Sequence, residues 1–273
     1  MSTVEKAFLK SIADKKGDDD AHKDLADDLD LPPVPQKKHD PNQLSSSRRS
    51  IANIDQPERF TKAELTARRL IYSTMSDQKT LNHYRNLRTR LLSTTKKENF
   101  VTMVTPVVPD KEAMLVSANL AATFALDEAK TSMLIEANID DPGLNTTFDM
   151  SGKQGLIDYL ESDELDSGTV LHKSGIARLG VVPSGTVREN AAEYFTSDKM
   201  QSLIHELVNR YPDRFPIINA PSILESAEAR ILAELCDQVI LVVPYGGCSE
   251  EQILKASVLI GAEKLSGLVL NNF

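Results

Sequence analysis

The spacing of apolar and polar positions changes character several times along this chain. The stretch from Asn99 to Ala121 reads NFVTMVTPVVPDKEAMLVSANLA. A β-branched run at 100–105 gives way to a proline-bearing turn. A segment at 112–126 follows, rich in Ala, Leu and Met and free of Gly and Pro. This pattern predicts strand, loop and helix. Further strands are expected at 131–135, 178–182, 215–218, 238–243 and 267–271, with helices at 155–160, 197–208, 226–235 and 250–260. Strand alternating with helix means an α/β domain with a doubly wound, mostly parallel sheet and ligands at the strands' carboxyl ends. The run at 238–243 is almost wholly apolar, as in a strand covered on both faces.

Upstream, residues 61–94 have helical composition, with Thr61 placed to cap and Glu64 to complete a capping box. A break at 73–77 divides this lead-in into two helices. On the second, Leu81, Tyr84, Leu87, Leu91 and Leu92 form one stripe able to pack on the sheet, while Arg85 and Arg88 share another face. Residues 1–58 are different. Acidic clusters (Asp18 to Asp20, and Asp27, Asp28 and Asp30), three prolines near 32–35 and the tract SSSRRS leave little apolar surface to bury. They read as a mobile tail, in which Val4, Phe8, Leu9 and Ile12 could line a short helix that docks on a partner or stays solvated. Three regions follow: a tail at 1–58, a helical lead-in at 59–97 and an α/β domain at 98–273.

Composition narrows the function classes. The formal charge of −9 argues against general nucleic-acid binding, which rests on Lys and Arg neutralising phosphates. No run approaches the eighteen or so apolar residues a membrane span needs. The N-terminus lacks the apolar core of a secretory signal, which predicts a cytoplasmic protein. Cys236 and Cys248 make neither a disulfide framework nor a metal quartet.

A loop after the first strand of such a sheet normally carries G-x-x-x-x-G-K-[ST]. Its glycines let backbone N–H groups wrap phosphates, the Lys neutralises them and the hydroxyl holds Mg²⁺. Here the loop is Pro109-Asp110-Lys111-Glu112-Ala113-Met114.

The order of landmarks supplies a family. Val104-Thr105, Asn119-Leu120-Ala121, the stretches 133–142, 155–160 and 179–185, Arg210-Tyr211-Pro212-Asp213-Arg214, Glu228-Ala229-Arg230 and 267–271 occur in order with family-like spacing. From about residue 82 onward the chain resembles the bacterial tyrosine kinases of exopolysaccharide synthesis. These are MinD/ParA-like P-loop proteins, and the likeness is to their exosortase-associated autokinase subgroup. The resemblance implies a P-loop fold but puts phosphoryl transfer in question. Where the family's first loop reads roughly P-G-E-G-K-[ST], the glycines are replaced by Asp110 and Glu112, the phosphate-binding Lys by Ala113 and the Mg²⁺-binding hydroxyl by Met114. Lys111 sits two positions early. The D-x-D after the second strand becomes Glu136-Ala137-Asn138, and the Asp of the third motif becomes Asn219. Asp110 and Glu112 would also set carboxylates at a helix N-terminus that otherwise attracts phosphate. Asn271 falls where the family contacts a purine, or it simply caps the last strand.

The resemblance therefore implies a pseudokinase: a non-catalytic regulator or adaptor of exopolysaccharide synthesis and export, acting through protein contacts and needing no cofactor. The alternative is an active, divergent tyrosine autokinase using ATP and Mg²⁺, with Lys111 and Glu136 standing in for missing groups. The family's E-x-x-R-x-x-R signature, which packs subunits into a ring, reads Asn82-x-x-Arg85-x-x-Arg88. Arg85 and Arg88 are thus candidate interaction residues. They would serve a homo-oligomer, or a mixed assembly with an active kinase or a membrane chain-length and export protein able to recruit the chain to the inner membrane.

Overall fold

The computed structural model describes residues 59–188 and 191–271. The expected tail at 1–58 lies outside them.

The lead-in forms as its capping residues dictate. Helix α1 (Lys62–Ala67) opens at Thr61, whose hydroxyl accepts the Glu64 N–H at 3.3 Å while the Glu64 carboxylate accepts the Thr61 N–H at 2.7 Å. After an irregular stretch, α2 (Gln78–Thr94) starts at Asp77, whose carboxylate accepts the Thr80 N–H at 3.0 Å. The break expected at 73–77 is therefore present.

The α/β domain continues with β1 (Thr102–Pro106), α3 (Ala113–Ala125), β2 (Thr131–Glu136), α4 (Gly143–Thr147), α5 (Leu156–Glu161), β3 (His172–Lys173) and β4 (Leu179–Val182). Then come α6 (Ala191–Phe195), α7 (Asp198–Asn209), β5 (Arg214–Asn219), α8 (Ala227–Leu235), β6 (Gln238–Pro244), α9 (Glu250–Ile260) and β7 (Leu265–Asn271). The strands lie in the order β3-β4-β2-β5-β1-β6-β7 and all pair in parallel except β3 with β4. Neighbouring strand residues point to opposite faces, so each central strand feeds two cores. Met103, Ile135, Ile218 and Leu241 pack on the side of α5, α7, α8 and α9. Val104, Leu134, Ile217 and Val242 pack on the side of α2 and α3, where Phe124 and Phe215 stack at 4.5 Å between ring centroids.

Two five-residue helices, α4 and α6, and the two-residue β3 were not anticipated. They are too short to express a period. Strand β4 starts at Leu179, one residue later than expected.

Helix α3 is buried at every position except Met114, its small residues letting α2 pack across it. The stripe Leu81, Tyr84 and Leu91 of α2 is buried as expected. Beyond its apolar contacts, the lead-in is clamped by a buried side chain of α3. Asn119 Oδ1 accepts the Ile71 N–H at 2.9 Å and its Nδ2 donates to the Arg69 carbonyl at 3.0 Å. That clamp fixes a turn in which Arg69, not a glycine, holds φ at 56°. Asn119→Ala strands a buried donor and acceptor. It is expected to cost about 2–4 kcal/mol in denaturant unfolding and to expose residues 59–77 to limited proteolysis.

Candidate functional site

The carboxyl ends of β2 and β5 are adjacent, and their register sets Glu136 beside Asn219. Both side chains are buried, as is Ser117 on α3. They form one chain of hydrogen bonds: Ser117 Oγ donates to Asn219 Oδ1 at 2.8 Å, and Asn219 Nδ2 donates to Glu136 Oε1 at 2.7 Å. Two backbone donors complete it, the Asn138 N–H on Oε1 and the Leu144 N–H on Oε2, each at 3.0 Å. The Asn138 backbone thus joins this network.

The first loop is closed by its own residues. Asp110 Oδ1 accepts the Glu112 N–H at 2.9 Å, and the Asp110 carbonyl accepts the Ala113 N–H at 3.2 Å. Those are N–H groups of the kind that would face a phosphate at a helix start. Glu112 does not cap α3 with its side chain; its carboxylate pairs with Arg69 of the lead-in. The expectation that both carboxylates serve the helix terminus thus holds for Asp110 alone. Asp110 Oδ2 also accepts from Asn271 Nδ2 at 3.1 Å, which ties the loop to the end of β7. Asn271 thereby braces the first loop.

Met114 packs against α4. A Cβ on Gly143 would meet Met114 Cγ at 2.9 Å, and Thr147 Oγ1 lies 3.6 Å from the Met114 sulfur. Buried Ala113 leaves no side chain to reach into the loop. Lys111 points out, its side chain 87% exposed and 4.0 Å from Asp141.

The two interaction candidates are held differently. Arg88 is half-buried and donates through Nη1 to the Thr123 carbonyl at 2.8 Å, near the end of α3. Arg85 Nη1 reaches Asn82 Oδ1 at 3.4 Å, so the asparagine at the place of the family's glutamate still contacts it. Sequence reasoning missed the roles of Ser117 and Arg69. Only Asn119 carried a signal, as a landmark, and that signal said nothing of the lead-in it holds.

Beside the network lies a hollow of about 410 Å³, over Ala137 and Pro221, edged by Asn138, Asp140, Arg188 and Glu228. Arg188 is already engaged by Glu161, at 2.7 and 3.0 Å. Among the described residues, no group of three or more His, Cys, Asp or Glu could hold a metal, and no helix is long and apolar enough to cross a membrane.

A doubly wound, mostly parallel sheet that opens with a strand–loop–helix unit and carries its polar network at the carboxyl ends of β2 and β5 has the architecture of a P-loop-type nucleotide-binding domain. No family model matches the chain. It is 30% identical over 202 residues to the tyrosine-protein kinase YwqD of Bacillus subtilis, covering 72% of this chain and 84% of that one. It is 29% identical over 197 residues to the tyrosine-protein kinase CpsD of Streptococcus agalactiae serotype III, covering 71% and 83%. The succinoglycan biosynthesis transport protein ExoP of Rhizobium meliloti matches at 25% over 185 residues, 64% of this chain and 22% of that one. Among solved structures, the chimerical protein CapA2B2 superposes with a TM-score of 0.66 at 22% identity, over 80% of this chain and 92% of that one. The kinase domain of the Escherichia coli tyrosine kinase ETK does so at 0.64 and 24%, over 70% and 74%. The chain belongs to the bacterial tyrosine-protein kinase family.

Burial pushes the Glu136 carboxyl up to about 8 from an ordinary 4.5, against three N–H donors that lower it. Its folded-state value thus exceeds its unfolded one. The stability it contributes is full below the unfolded value and lost as pH rises through about 8. Unfolding free energy is expected to fall between about pH 5 and about pH 9. Glu136→Gln is expected to flatten that fall, with any cost of the substitution itself independent of pH, as read from urea titrations across the range.

Proposed function

We propose that the chain is a non-catalytic member of its family, a regulator or adaptor in exopolysaccharide or capsule synthesis and export that works through protein contacts. The observation that carries this reading is the closed hydrogen-bond chain Ser117–Asn219–Glu136 at the carboxyl ends of β2 and β5. In an active relative this ground would hold Mg²⁺ through carboxylates, and here its polar atoms are spent on one another.

The first loop supports the same reading. Charge-assisted contacts to phosphate are typically worth about 1.5–3 kcal/mol each, and the residues that would make them are Ala113 and Met114. Asp110 adds a negative charge where the nucleotide would bring more. For the divergent-kinase alternative, Lys111 would have to leave solvent and Asp141, and Glu136 would have to give up three donors. Recognition of a partner falls to the outer surface, including Arg85 and the exposed side of α2. The partner's chemistry follows the relatives' names: another tyrosine-protein kinase, or a polysaccharide transport protein.

Two outcomes test this. Incubated with Mg²⁺ and γ-labelled ATP, the purified protein is expected to label none of its tyrosines, and the Ala113→Lys/Met114→Thr double variant is expected to stay silent. Labelled tyrosine in the unaltered protein would overturn the proposal. Separately, Asn219→Asp, which restores the family's residue, removes the amide donor to Glu136 and sets a second carboxyl at hydrogen-bond distance from it. It is expected to destabilise the fold by about 3–5 kcal/mol above the raised Glu136 value of about 8, where both groups must ionise, and by less in acid, measured by urea unfolding.

A further inference from the structure

Helix α2 buries Leu81, Tyr84 and Leu91 on the side of α3 and presents its other side outward. Lys79, His83, Asn86 and Arg90 recur there every three or four residues, and all four are exposed. From 78 to 97 the chain holds six cations, Lys79, Arg85, Arg88, Arg90, Lys96 and Lys97, and no Asp or Glu. Exposed helices usually interleave the two signs, because opposite charges three or four residues apart support the helix and like charges oppose it. Asp77, Asp127 and Asp237 serve the ends and the inner side of α2. The first caps its opening turn near His83, the second lies beside half-buried Arg88, and the third holds Lys97 just past its end.

The complementary charge lies in the same chain. Residues 18–30 read DDDAHKDLADDLD, seven aspartates against one lysine, and no other thirteen-residue stretch holds as many acidic residues. Reach does not limit a contact between the two. Asp30 lies 29 positions before Arg59, where the described chain begins. That length spans up to about 100 Å when extended, whereas the 17 residues of α2 measure only about 25 Å.

We propose that the acidic segment 18–30 docks on the basic outer face of α2 of its own chain and covers that surface. Charge complementarity and tethering select this occupant together. The acid-free helix faces the most acidic stretch of the same molecule, and a tethered segment competes by effective concentration with any free acidic partner. A second copy of the chain, with the same formal charge of −9, meets overall repulsion before it reaches α2. The contact does not depend on the state of the nucleotide site. It bears on recognition, because Arg85 flanks the stripe beside Asn82. A partner that reads Arg85 must first displace the segment.

Carbodiimide cross-linking of the full chain at low salt tests this. The expected product has the mass of one protomer and joins Lys79 to an aspartate of 18–30, as read by peptide mass spectrometry. Its yield should fall about fivefold or more in 1 M NaCl, where the Debye length is about 3 Å. A variant carrying Asp18→Asn, Asp19→Asn, Asp20→Asn, Asp27→Asn, Asp28→Asn and Asp30→Asn together should lose the product, with circular dichroism unchanged. In that variant Lys79 should acetylate about threefold faster relative to exposed Lys153. No such product at low salt overturns the proposal, as does Lys79 acetylation that ignores the six substitutions. A product formed only between molecules, seen on mixing isotopically light and heavy chains, overturns it too and assigns the face to a second copy.

Discussion

A buried carboxylate sits at the carboxyl end of β2, and its surroundings are arranged to supply it with donors. Glu136 receives the Asn219 amide and two backbone N–H groups, and Asn219 in turn receives the Ser117 hydroxyl. This constraint couples positions far apart in sequence. With Glu136 buried at β2, a donor on the facing position of β5 is favoured over a second carboxyl, which would offer Glu136 no amide N–H and raise its carboxyl further. Asn219 supplies that donor. The substitutions at the second and third acidic motifs are thus one arrangement seen from two strands, a hydrogen-bonded brace between β2, β5 and α3.

The first loop follows a similar logic. A phosphate-binding loop keeps its N–H groups unspent until ligand arrives. Here Asp110 takes the Glu112 N–H, its carbonyl takes the Ala113 N–H and its second carboxylate oxygen takes the Asn271 amide. Met114 fills the space toward Gly143, and Arg69 brings the lead-in down onto Glu112. A carboxylate supplied from within the loop thus takes up one of the N–H groups at the start of α3.

Much of this architecture was legible in the sequence. Strands β1, β2, β5 and β6 and helix α9 announce themselves through apolar runs and capping residues, and the Thr61–Glu64 box was readable outright. The altered motif residues were legible too, since a missing lysine or glycine is visible without coordinates. The sequence could not say what the substituted residues touch. That Asp110 meets Asn271 across 161 positions, or that Asn119 holds Arg69 and Ile71, depends on tertiary packing and leaves no local period. The elements α4, α6 and β3 escaped for the opposite reason, being shorter than the patterns that reveal helices and strands.

A nucleotide site spent on internal contacts, as proposed for this family member, should no longer take up nucleotide. Calorimetric titration of the purified chain with ATP and ADP, with and without Mg²⁺, reads this out. No heat of binding and no thermal shift are expected at millimolar nucleotide, with or without the metal. Magnesium-dependent binding in the micromolar range would contradict it, and the side chain that replaced the missing lysine would then have to be found.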